Sequence, residues 1–97
     1  MTYIALLNGK EIARTDSEEK VEGNIYFPKN SVKSEFFKKT NHETTCPWKG
    51  KASYYTVTVN GKSFENVAWT YENPKKDAKN IKEHIAFYSN KVDVKEV

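Results

Sequence analysis

One cysteine, two histidines and a few well-placed lysines are the groups from which this chain could build bond-making chemistry, and several crowd into one stretch. Residues 44–55 read TTCPWKGKASYY, which puts Cys46, Trp48, Lys49 and the pair Tyr54-Tyr55 within twelve positions. His42 lies four residues before Cys46, Lys49 three residues after it, and His84 is remote. A thiolate attacks only where a base or a cationic setting lowers its pKa, and none of these spacings is a catalytic signature. A free cysteine more often packs as a small inert hydrophobe, so Cys46-Pro47 reads as a buried corner leading into a hairpin. Structural zinc takes four Cys or His ligands, and the chain owns three such residues in total. No catalytic residue, metal ligand or cofactor is assigned. Glu72, beside an aromatic run, and Glu83, beside His84, read first as solvent-facing charges.

Phosphate chemistry finds no better support. The step Lys49-Gly50 reverses the Gly-Lys of a P-loop, and no glycine-rich run precedes it. KGKASYY loosely echoes an RNA-recognition strand, but Lys51 and Ser53 stand where the stacking rings belong. The net charge of +3 is spread evenly: eight basic and seven acidic groups in residues 1–50, eight and six in residues 51–97. A sequence pI near 8.9 falls short of the range, above about 9, usual for dedicated nucleic-acid domains. Nucleic acid is therefore a disfavoured partner, although exposed Lys and Tyr on one sheet could still stack single strands weakly.

The remaining candidates are rings. Five Phe, six Tyr and two Trp in 97 residues must supply much of the packing, because a chain this short buries only about two thirds of its unfolded surface and each ring buries roughly 150–250 Å². Two Asn-Gly steps place many of these rings. Both positions of a type I′ turn need positive φ, so Asn8-Gly9 joins TYIALL to KEIART and Asn60-Gly61 joins KASYYTVTV to KSFENVAWTY. A two-residue turn fixes the second hairpin's register: Val59 opposite Lys62, Val57 opposite Phe64, Tyr55 opposite Asn66, Tyr54 opposite Val67 and Ala52 opposite Trp69. One face then carries Tyr55, Val57, Val59 and Phe64, the other Ala52, Tyr54, Val67, Trp69 and Tyr71. A bulge at Asn66 would displace this register. The second face is either covered core or the wall of a pocket built from Trp48, Tyr54, Trp69 and Tyr71.

NIYFP and HIAFYS read as strands, the latter with Ile85 and Phe87 on one face and His84, Ala86 and Tyr88 on the other; VDVKEV closes an edge. SVKSEFFKK, residues 31–39, reads as one short α-helix with Val32, Phe36 and Phe37 toward a sheet. ENPKKDAKNIKE is a loop with one helical turn near Asp77–Ile81. These signals give six or seven strands and a single domain over residues 1–97. The start of the chain carries neither a basic n-region nor a long apolar run, and a lone cysteine makes no internal disulfide. A cytoplasmic protein without a membrane segment is the expectation.

YFP (26–28), TTCPWKGKASYY (44–55), AWTYENP (68–74) and IAFY (85–88), in that order and at similar spacing, resemble the small bacterial family called domain of unknown function 427, over about residues 8–94. The resemblance implies a mainly β fold of two antiparallel sheets set at an angle, a β-tent, similar to cereblon's thalidomide-binding domain. Zinc-holding relatives use two pairs of cysteines, so neither their metal nor their thiol chemistry carries over to a chain with Cys46 alone. The family is catalogued in places as a nucleotidyltransferase, but no Gly-Ser step followed by spaced aspartates is present. By analogy with the drug-binding relative, Trp48, Tyr55, Trp69, Tyr71 and Tyr88 become candidate cage residues. The resulting expectation is a small binding module whose aromatic cleft takes a small molecule or a modified side chain. Trp48, Tyr54, Tyr55, Trp69, Tyr71 and Tyr88 would stack on the ligand, and Lys49 or Glu72 would orient it. An enzyme, nucleotide-handling or thiol-based, is the alternative.

Overall fold

The computed structural model describes residues 1–97. Both Asn-Gly hairpins form as their turn chemistry requires. Asn8 and Gly9 (φ 53° and 78°) join β1 (Tyr3–Leu7) to β2 (Lys10–Thr15). Glu22 and Gly23 (φ 54° and 79°) join β3 (Glu19–Val21) to β4 (Asn24–Pro28), a hairpin whose signal is weakened by a glutamate at the first turn position. Next come β5 (Phe37–Cys46), β6 (Gly50–Val59) and β7 (Lys62–Thr70), the last two joined by Asn60-Gly61, followed by β8 (His84–Phe87) and β9 (Asp93–Glu96). Nine strands make two antiparallel sheets, one of order β2-β1-β9 and one of order β3-β4-β8-β7-β6-β5. The expected mainly β, two-sheet architecture is present, and VDVKEV does supply an edge strand. No helix is long and apolar enough to cross a membrane.

The expected helix over 31–39 does not form. Lys29–Ser31 and Ser34–Phe36 are single 3-10 turns, and Phe37 begins β5. A nine-residue helix with three apolar positions is marginal on its own, whereas pairing Phe37 opposite Val57 extends the β6–β7 hairpin by a strand. It also sets the Phe37 ring 5.9 Å from Tyr55 and 6.0 Å from Phe87. The preceding turn is pinned to β2, where the Lys33 amide donates to the Ile12 carbonyl at 2.9 Å and Val32 bridges Ala13. The expected turn near Asp77–Ile81 is a kinked 3-10 segment, Lys76–Ile81, whose Ala78 and Ile81 are buried.

The β6–β7 register departs from expectation at one place. Val59 faces Lys62 and Val57 faces Phe64, but Tyr55 then faces Ala68, Tyr54 faces Trp69 and Ser53 faces Thr70. One residue on β6, Thr56, thus opposes three on β7, Glu65, Asn66 and Val67. Asn66 takes φ 53°, a left-handed conformation that asparagine tolerates well, and accepts a 2.7 Å hydrogen bond from the Thr40 hydroxyl through its side-chain oxygen. The displacement is two residues, so Tyr54 and Trp69 remain on one face while changing partners. Val67, expected beside Trp69, turns instead into the core between the sheets.

That core holds Ala5, Leu7, Ile12 and Ala13 from the small sheet against Phe27, Val57, Val59, Ala68, Ile85 and Phe87 from the large one. A second cluster lies on the far face of the large sheet: Tyr26, Ala52, Tyr54, Trp69, Tyr71 and Ala86, capped by Ala78 and Ile81. The large sheet is therefore apolar on both faces only at one end. Toward the Asn60-Gly61 turn its far face carries Lys38, Thr56, Thr58, Ser63 and Glu65, all open or partly open to water.

Candidate functional site

On this far face, strand pairing alone assembles a strip of rings. Tyr54 of β6 stands opposite Trp69 of β7, and Trp69 stands opposite Ala86 of β8, a residue too small to fill its own site. Tyr88, just past β8 and held by its amide on the Val67 carbonyl at 3.0 Å, leans into that space. Its ring lies 4.8 Å from Trp69 at 55° and stacks on Tyr54 at 6.3 Å and 16°. His42 of β5 lies against Tyr54, with ring centres 4.5 Å apart.

Hydrogen bonds fix these rings in place. The Tyr88 hydroxyl donates to the Tyr54 hydroxyl at 3.3 Å, and the latter shares a 3.0 Å bond with Thr44 Oγ1. The bond to Tyr54, aided by burial, pushes the Tyr88 phenol up to about 12, so it is neutral across the physiological range. Trp69 Nε1 donates to the Tyr26 hydroxyl at 3.2 Å across a T-shaped contact of 6.3 Å. Trp69 is 9% exposed, while Tyr88 is 38% exposed and gives the strip its open edge.

Lys49 forms a neighbouring group. It sits in the turn between β5 and β6, 7% exposed, with its ammonium 5.4 Å from the Trp48 ring and 5.6 Å from the Tyr71 ring. The Glu22 carboxylate closes this arrangement by pairing with Lys49 Nζ and accepting from Trp48 Nε1 at 3.3 Å. The turn is braced from the loop after β7, where the Lys75 amide donates to the Lys49 carbonyl at 2.9 Å and Lys75 Nζ to the Pro47 carbonyl at 2.7 Å. Burial acts to lower the Lys49 pKa, but the Glu22 bond and the nearby Tyr26, Tyr71 and Cys46 outweigh it, and the net direction is upward. The hydrogen bonds from Lys49 and Trp48 draw the Glu22 carboxyl below its ordinary value of 4.5.

These directions set a pH dependence. A lowered Glu22 pKa contributes stability that is present above the ordinary carboxylate range and is lost as pH falls through the folded value. A raised Lys49 pKa contributes stability that disappears only as pH rises through the folded lysine value. Stability measured by urea unfolding is expected to fall more steeply with acid, below about pH 4.5, in the wild type than in Glu22→Gln. Parallel acid profiles would show that the pair contributes nothing to this titration.

Of the residues expected to form a site, Tyr54, Trp69 and Tyr88 come together directly. Trp48, Lys49 and Tyr71 make the adjacent group, linked to the strip through Tyr26. Two stand apart. Tyr55 points to the inter-sheet side against Phe37, because alternation along β6 separates it from Tyr54. Glu72 pairs with Lys39 at 2.7 Å. Trp48 is 41% exposed and Pro47 is open to solvent, so Cys46-Pro47 is a surface turn with a half-buried thiol and not a buried corner. Sequence reasoning missed His42 and Thr44, which lie on a strand it did not assign, and Tyr26, which NIYFP placed in a strand without a partner.

The rings fill one another, and no enclosed cavity adjoins them. Beside the strip, on the same sheet face, runs an open groove of about 680 Å³ whose lining includes Lys38, Thr40, Asn41, Thr56, Thr58 and Glu65. A second hollow of about 130 Å³ lies near Ile25, Phe87 and Val94. No three His, Cys, Asp or Glu side chains gather into a group that could hold a metal ion.

A family model described as a domain of unknown function (DUF427) matches residues 3–97. No curated protein matches the chain.

Proposed function

The chain belongs to this family, a domain of unknown function, and we propose that it is a small binding module whose recognition surface is the strip Tyr54, Trp69 and Tyr88, bordered by His42. The observation that carries this reading is the position of Tyr88. Tyr88, 38% exposed, is hydrogen-bonded to Tyr54 and stacked on it, meets Trp69 at 55° and turns a supported ring toward water. A ligand ring seated there gains an offset or edge contact worth about 0.5–1.5 kcal/mol beyond its burial. Because the shelf is already ordered, little side-chain entropy is lost on binding. In this reading Lys49 and Glu72 do not orient the ligand, since each has an ion-pair partner within the protein; His42 and Thr44 are the polar groups at the strip. Tyr71 packs in the same buried cluster as Trp69, with Lys49 over its ring and Trp48 outside the strip. A bacterial, cytoplasmic setting is part of the proposal, in keeping with a chain whose one cysteine makes no internal disulfide.

A set of monocyclic and bicyclic ring fragments, screened by amide and indole chemical shifts, tests the reading. Binders are expected to shift Tyr54, Trp69 and Tyr88, and Tyr88→Ala to weaken them by roughly tenfold while the protein remains folded. Trp48→Ala is expected to leave their affinity unchanged. Fragments that bind with equal affinity to Tyr88→Ala would refute the assignment.

A further inference from the structure

An open groove runs beside the ring strip. It lies on the same face of the sheet: Thr58, Thr56 and Tyr54 alternate along β6 to one side, a run of about 13 Å, so groove and ring strip share that face, with Tyr88 as the open ring. The two are also bonded together, because Thr40 Oγ1 donates to the Asn66 side-chain oxygen and accepts from the His42 amide at 3.2 Å.

The groove is polar throughout, and its charges cancel. Lys38 and Glu65 contribute one charge of each sign and neither is held in an ion pair, while the third charge, Lys39, is neutralised by Glu72. Thr58 and Ser63 share a hydroxyl–hydroxyl bond of 2.9 Å, and Asn41 and Thr56 add further donors and acceptors to the lining. A polyanion gains no counterion-release advantage on such a surface, and a purely apolar ligand would strand these groups. A neutral ligand with many hydroxyl groups satisfies them, and the apolar faces of its rings suit the Tyr88 and Trp69 shelf.

We infer that the surface formed by the groove and the ring strip binds a neutral oligosaccharide, with one sugar ring stacked on Tyr88 and its neighbours hydrogen-bonded along Thr56, Thr58 and Asn41. The inference rests on the ring-binding reading above and specifies its ligand class. Charge balance distinguishes it from a nucleic-acid platform, which pairs the same rings with a positive track.

The test is a titration of the full chain, followed by amide shifts, with cellohexaose, maltohexaose and chitohexaose as neutral probes and an oligothymidylate as the charged one. At least one neutral hexasaccharide is expected to give saturable shifts at Thr56, Thr58 and Tyr88, with an affinity insensitive to salt. The double variant Thr56→Val, Thr58→Val is expected to lower that affinity roughly tenfold without changing the melting temperature. Saturation by the oligothymidylate alone would overturn the inference, as would no response to any of the three sugars. If ring fragments still bind at Tyr88 in that event, the oligosaccharide assignment falls and the ring-binding reading stands; if they too fail, both fall.

Discussion

Trp69→Ala is expected to lower the stability of the folded chain by about 3–5 kcal/mol, whereas Trp48→Ala should cost no more than about 1 kcal/mol. Trp69 is 9% exposed and touches Tyr26, Tyr54 and Tyr88, so its removal opens a cavity among three rings. It also strands the Tyr26 hydroxyl, which belongs to a residue with 0% exposure and takes its hydrogen bond from Trp69 Nε1. An orphaned buried hydroxyl costs about 1–3 kcal/mol, a penalty included in the range above. Trp48 presents 41% of its surface to water and gives up one ring–ammonium contact and one exposed hydrogen bond. Against a total stability of about 5–15 kcal/mol for a domain of this kind, the first change is severe and the second minor. Urea unfolding followed by circular dichroism measures both, and equal losses would show that the far-face cluster does not hold the sheet as described.

Phe27→Ala should be as damaging, about 3–5 kcal/mol, but for the other face. Phe27 is completely buried and meets Phe87 in a T-shaped contact at 5.5 Å and 73°, at the centre of the layer that joins the two sheets. The small sheet has three strands and one apolar face, so this layer is its means of attachment. Tyr26, the adjacent residue, points the opposite way and packs in the second cluster. The expected signature is therefore specific: a large drop in the unfolding midpoint, with the amide shifts of Tyr54, Trp69 and Tyr88 little changed under conditions where the variant remains folded. A variant that is folded yet has lost the ring-strip shifts would show that the two faces are not independent.

Sequence alone reaches the hairpins, since Asn-Gly steps demand the one turn type that their φ values then show, and it reaches the far-face cluster, because alternation puts Tyr54, Trp69 and Tyr71 on one side. Where it stops, the cause is tertiary. Phe36 and Phe37 at helical spacing read as a stripe, but the open edge of β6 captures Phe37 as a strand. Asn66 carries a two-residue bulge and is bonded by the Thr40 hydroxyl, on a strand that local pattern does not reveal. Lys49 reads as a free cation for a ligand until the β3–β4 turn, invisible through its Glu22, brings a carboxylate to it. The polar groove beside the strip needs β5 in place and so has no sequence signature.

The proposed recognition surface on the far face of the large sheet is centred on Tyr88 and Trp69. Its decisive test is a titration of the wild-type chain with the ring fragments, read at the indole N–H of each tryptophan. A saturable shift of Trp69 Nε1–H, with Trp48 Nε1–H stationary and the effect lost in Tyr88→Ala, is the predicted result. Saturable shifts confined to Trp48 or to β1, β2 and β9, or no saturable response, would contradict it.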